Sequence, residues 1–155
     1  MPSDAKPTIK HKSFSFETSL HWNGGKTGTI RGTEKPEIRF ASPPEFKGEP
    51  GVWTPEDLFV GSIDMCMLLT FSAFAERKSL PVKSYTSRAR GILEFVDGSY
   101  RFTKVIISPT IIVETPEAVA LARQTLERAH QQCLITNSIT TEVSFEVEIK
   151  TPDGV

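Results

Sequence analysis

The chain has 155 residues, enough for one domain with a real core and too few for two independent ones. Its 18 basic and 19 acidic side chains nearly cancel, so neither nucleic acid nor an anionic membrane surface is an expected partner. Two cysteines make no disulfide framework and lack the paired C-x-x-C spacing of a zinc site.

One domain is expected over 1–155, with loose ends at about 1–8 and 151–155. The opening MPSDAKPTIK holds no apolar run and reads as neither signal peptide nor anchor. SFSFETSLHW then alternates Phe14, Phe16, Thr18, Leu20 and Trp22 with polar residues, the period of a half-buried strand. NGGKTG is turn chemistry, TIRGT and EIRFAS are two further short strands, and PPEFKGEPG is a rigid irregular loop. The first helix opens with Thr54 as N-cap, Pro55 at the first helical position, and Glu56 and Asp57 in the first turn. It runs to Arg77 or Lys78, and Pro81 stops it.

The segment from Val82 to Glu114 reads as a hairpin turning at Asp97-Gly98. Thr115, Pro116 and Glu117 repeat the helix-start signal, and a second helix follows toward Cys133. TTEVSFEVEI closes the chain as a strand. The order βββ-α-ββ-α-β indicates an α+β fold, mostly antiparallel.

Within the first helix, Leu58 to Phe74 is interrupted by Gly61, Ser62, Asp64, Thr70 and Ser72, and is expected to fall short of a membrane span. A soluble, cytoplasmic protein with reduced thiols is therefore expected. The apolar residues of that helix lie on nearly every side, so it must be buried all round. One small sheet covers one face, and the second helix is short and polar. The same helix from a second subunit across a two-fold axis is the simplest cover, which predicts a homodimer. Glu56 and Cys66 stand about 15 Å apart along one helix and cannot touch there. In an antiparallel helix pair, Glu56 of one subunit could approach Cys66 of the other.

Cys66 in a greasy helix has a bland reading, a small apolar filler. The alternative is redox chemistry: a thiolate that attacks a peroxide, and a second thiol that condenses with the sulfenic acid. The residues around both cysteines carry a resemblance. GEPGVWTPEDLFVGSIDMCMLLTF, followed about seventy residues on by LERAHQQCLITNSI, resembles the OsmC/Ohr family of osmotically inducible protein C and organic hydroperoxide resistance proteins. Pro55, Glu56, Cys66, Ala129, His130 and Cys133 occupy the family's motif positions, and HWNGGKTGTI is similar to its Gly-rich turn. The resemblance covers roughly Leu20 to Ile149. It implies an intertwined α+β homodimer with a long buried central helix and two interfacial sites, reducing organic hydroperoxides and hydrogen peroxide without metal or organic cofactor. It further implies Cys66 as peroxidatic nucleophile, Cys133 as resolving thiol, Glu56 as the residue that orients an arginine, and a dithiol or lipoylated protein as reductant.

The chain departs from the family at that arginine. Lys26 follows Gly24 and Gly25 where the hydroperoxide resistance proteins have Arg, and Glu45 precedes Phe46 where OsmC proteins have one. Lysine lacks the planar fork that holds a carboxylate while touching sulfur. Arg39 is the preferred replacement, ahead of Arg31. A different reading follows from the same departure: a non-enzymatic protein of this fold that binds a hydrophobic or thiol-bearing small molecule at the dimer interface. His130 and Cys133 share a helical face as metal ligands can, yet only Asp64, Glu56 or Cys66 could complete such a set. Met65 and Met67 read as core, Trp22, Trp53 and Phe46 as packing or an apolar mouth, and Arg88 and Arg90 as a solvated strand face.

Overall fold

The computed structural model describes residues 11–154. The expected looseness of residues 1–8 lies outside them. The chain divides into two compact units, Met1–Thr54 and Pro55–Val155.

The first unit is a three-stranded antiparallel sheet in the order β1 (Thr18–Gly24), β2 (Thr27–Gly32), β3 (Ile38–Ala41). Gly24 and Gly25 turn the first hairpin at φ 98° and 56°, a region that favours glycine, and the Trp22 indole N–H donates to Gly25 O at 2.9 Å. The first strand begins four residues later than the Phe14–Trp22 alternation predicts. Thr18 pairs with Gly32, the last residue of β2, so Phe14 and Phe16 have no ladder partner, and Phe16 stays 96% exposed. Alternation without a neighbouring strand does not make a strand. After β3 the loop makes one 3-10 turn at Pro44–Phe46 and returns, with Ala41 N–H donating to Trp53 O at 2.9 Å.

The second unit opens with α1 (Pro55–Arg77), starting where Thr54-Pro55 signals it. Its buried stripe Ile63, Met67, Phe71, Ala75 repeats every four residues and faces one core. Opposite that core lie β4 (Val82–Val96) and β5 (Ser99–Val113), a long hairpin closed by Asp97 and Gly98. Both turn residues have positive φ, 51° and 84°, as a two-residue hairpin with the right strand twist requires. Along β5 every second side chain from Val105 to Val113 is buried. Gly91 of β4 is where the hairpin approaches α1: a Cβ there would meet Val60 Cγ2 at 2.6 Å and Phe102 Cε1 at 2.7 Å. The helix α2 (Glu117–Gln132) presents Ala118, Ala122 and Ala129 to the core, small residues that let helices approach closely.

Two expectations are corrected here. By length and composition α1 could cross a membrane, because the helix extends beyond the Leu58–Phe74 stretch to 23 residues; core helices meet the same criterion, and its buried stripe packs in the core. The closing strand is two short ones, β6 (Glu142–Phe145) and β7 (Glu148–Lys150). Both pair with β5 in parallel, so this sheet is mixed. The break falls opposite Pro109, a buried strand residue with no amide to donate. Beyond β7 a turn closes with Gly154 N–H donating to Thr151 O at 3.0 Å, and Thr151 is buried.

Candidate active site

Cys66 sits in the middle of α1, one position before buried Met67, and is itself half-buried. Cys133 is the residue that ends α2: its backbone is extended (φ −67°, ψ 111°), its side chain fully buried. The packing of α2 on α1 places the two thiols near enough to influence each other's ionisation. Sequence reasoning named both sulfurs, and the fold sets the helices that carry them against each other.

The two thiols are not equivalent. Burial pushes Cys66 up, but the Ile135 backbone N–H, the Cys133 thiol, the Thr70 hydroxyl and the Leu134 backbone N–H outweigh it, leaving Cys66 below the ordinary thiol value. Cys133 is held above that value, first by burial, with the Cys66 charge adding to it; the Thr136 hydroxyl and backbone N–H only partly offset this. The surroundings therefore favour the thiolate at Cys66 over that at Cys133. A hydrogen bond to a charged acceptor stabilises by about 1.5–3 kcal/mol, which is why neutral donors suffice to lower a thiol.

The backbone donors come from the turn after α2. Asn137 N–H donates to Cys133 O at 2.9 Å, Ser138 N–H donates to Ile135 O at 3.0 Å, and the chain folds into a 3-10 turn over Thr136–Ser138. Leu134 and Ile135 were not singled out by sequence reasoning, nor were Thr70 and Thr136 as donors. Thr70 had a signal, its position one helical turn after Cys66. The amides had none, since where they point depends on tertiary docking of the turn.

The other expected site residues are placed differently. Glu56 is the second residue of α1, and its Oε2 is buried with no hydrogen-bond partner among the described residues. Helix rise keeps it from Cys66 of its own chain, as expected. Arg39 lies in the N-terminal unit, on β3, where its Nη2 is 2.5 Å from Glu49 Oε2 with both side chains about half exposed. Arg31 Nε donates to Ser19 Oγ at 3.4 Å, and Lys26 Nζ donates to Phe46 O at 2.7 Å. No cation is among the groups that lower Cys66.

His130 packs edge-on to Phe145 with ring centroids 4.8 Å apart, and its Nδ1 is buried without a partner among the described residues. Asp64 accepts a 2.7 Å hydrogen bond from Ser87 Oγ on β4, a structural tie. Among the described residues no group of three or more His, Cys, Asp or Glu could hold a metal ion.

Residues 48–148 match the family model described as OsmC-like protein. The uncharacterized protein YmaD of Bacillus subtilis is 26% identical over 139 residues, covering 86% of this chain and 91% of that protein. Among solved structures, an OsmC-like protein of unknown function from Vibrio cholerae superposes with a TM-score of 0.81 at 23% identity, covering 87% of this chain and 99% of that one. An organic hydroperoxide resistance protein from Elizabethkingia anophelis gives a TM-score of 0.72 at 16% identity, covering 92% and 99%. These likenesses show the same α+β fold, with its two helices and mixed sheets. The match over 101 of the 155 residues, with the cysteine pair inside it, makes this chain a member of the OsmC-like family.

Proposed function

We propose that this protein is a cysteine-based peroxidase, an oxidoreductase of the cytoplasmic oxidative stress response that reduces organic hydroperoxides and hydrogen peroxide. The observation that carries the reading is the asymmetry of two thiols on packed helices, Cys66 half-buried with Thr70 Oγ1 3.9 Å away and Cys133 fully buried at the end of α2. The Cys66 thiolate, its proton already released to solvent, attacks the outer peroxide oxygen: an S–O bond forms and the O–O bond breaks. The leaving alkoxide takes a proton from solvent to depart as the alcohol, or as water when the substrate is hydrogen peroxide. The sulfur is oxidised by two electrons to the sulfenic acid. Cys133 then loses its proton and attacks the Cys66 sulfur; the S–S bond forms, the S–O bond breaks and water departs. A dithiol, free or on a lipoylated protein, returns both sulfurs to thiols.

The acting unit is a homodimer in this reading. Glu56 Oε2, buried without a partner among the described residues, leaves a donor to be supplied, the place that the resemblance gives to an arginine. Peroxide consumption with a dithiol tests the proposal. Cys66→Ser is expected to abolish turnover, Cys133→Ser to reduce it severely, and limited peroxide to yield a Cys66–Cys133 disulfide by mass. Undiminished turnover in Cys66→Ser would remove the assigned nucleophile.

A second reading, an interfacial binding protein for a hydrophobic or thiol-bearing small molecule, is favoured by one observation: every group that lowers Cys66 is neutral. It expects no peroxide turnover from the wild-type protein under the same conditions.

A further inference from the structure

Each sulfur has a hydroxyl of its own within reach. Thr70 stands one turn beyond Cys66 on α1, with Oγ1 3.9 Å from Cys66 Sγ, inside the range that a large sulfur atom allows. Thr136 stands three positions beyond Cys133, at the start of the 3-10 turn, and donates to Cys133 Sγ at 3.2 Å. Thr136 therefore reaches Cys133, and Thr70 reaches Cys66 separately. Both threonines are half-buried, so water competes only partly for these bonds.

We propose that the two threonines divide the redox cycle: Thr70 stabilises Cys66 as the attacking thiolate, and Thr136 stabilises Cys133 as it sheds its proton and resolves. The proposal deepens the peroxidase reading and rests on its order of steps. Before the first attack the negative charge sits on Cys66, where Thr70 is the hydroxyl in reach. Before the second attack it must sit on Cys133, where Thr136 is already aimed. A donor fixed at the atom where charge develops needs no reorganisation when the charge arrives.

The test needs no peroxide. An aromatic disulfide that liberates a coloured thiolate, dithiobis-nitrobenzoate, reports both sulfurs. Cys66 attacks it and releases one coloured thiolate, and Cys133 then attacks the mixed disulfide at the Cys66 sulfur and releases the second. With stopped-flow detection at neutral pH, Thr70→Val is expected to slow the first release about three- to tenfold and leave the second unchanged. Thr136→Val is expected to do the reverse. Thr→Ser restores each phase, and raising the pH above both thiol titrations removes the differences. Where valine disturbs packing, the Ser and Ala variants at the same position isolate the hydroxyl.

Equal slowing of both phases by either variant, or of neither, overturns the division of labour. A wild-type protein that releases no second thiolate overturns it too, because the sulfurs then do not resolve one another. Two-phase release from a protein that consumes no peroxide would sink the peroxidase reading while leaving the threonine assignments standing.

Discussion

Tyr85 on β4 buries a hydroxyl that has no hydrogen-bond partner among the described residues, with its ring 5.5 Å from Phe71 of α1. Burial, and after it the charge of Asp64, push the phenol up to about 12. The unfolded chain releases that proton near 10. A raised acid of this kind contributes stability that is complete below about pH 10 and is lost as the pH climbs toward about 12. Tyr85→Phe is expected to flatten that alkaline loss and, by removing an unpaired buried hydroxyl, to stabilise the fold at neutral pH by about 1 kcal/mol. Urea unfolding at neutral and alkaline pH measures both; a destabilised Phe variant would mean that the hydroxyl has a partner. At this scale the sequence was informative about the sulfurs, because thiols in apolar helices are few and their motif neighbours are specific. It was silent about the donors: Leu134 and Ile135 act through backbone amides, which any residue carries, and only the docked turn aims them.

The exposed side of α1 carries Met65, 58% exposed, and Leu69, 67% exposed, four positions apart and so on one face. Large apolar side chains aligned on a core helix call for cover. With a homodimer as the proposed cover, Leu69→Lys is expected to shift the sedimenting species from two chains to one, because a charge in an apolar helix contact costs several kcal/mol unless paired. A wild-type protein that sediments as one chain at all concentrations would remove the idea. Helix boundaries were readable because their signals are local: Thr54-Pro55 and Thr115-Pro116 each precede a helix start, the second by one residue more than expected. Strand boundaries were not, because a strand ends where its neighbour does. Phe14 and Phe16 alternate correctly with nothing to pair, and β6 and β7 are divided opposite a proline that lies some forty residues earlier in sequence.

For the whole molecule, the order of elements and the α+β class followed from turn chemistry and periodicity, and the structure keeps that order. The site was only half readable at this scale. The sulfurs lie in one compact unit, on two helices that pack together and whose start signals are visible in the sequence. The cation was carried over from a resemblance at the one point where this chain departs from it, and Arg39 is engaged with Glu49 in its own unit.

The meeting of Cys66 and Cys133 also bears on heat resistance. The two residues are 67 positions apart, so a bond between them ties off nearly half of the polypeptide in a single loop. Restricting the denatured chain in this way stabilises by about 4 kcal/mol in the chain-entropy picture. The oxidised protein is therefore expected to melt well above the reduced one, a difference that scanning calorimetry with and without reductant reads directly and that Cys133→Ser erases. The redox poise of the surroundings would then set the durability of the fold together with the state of the sulfurs.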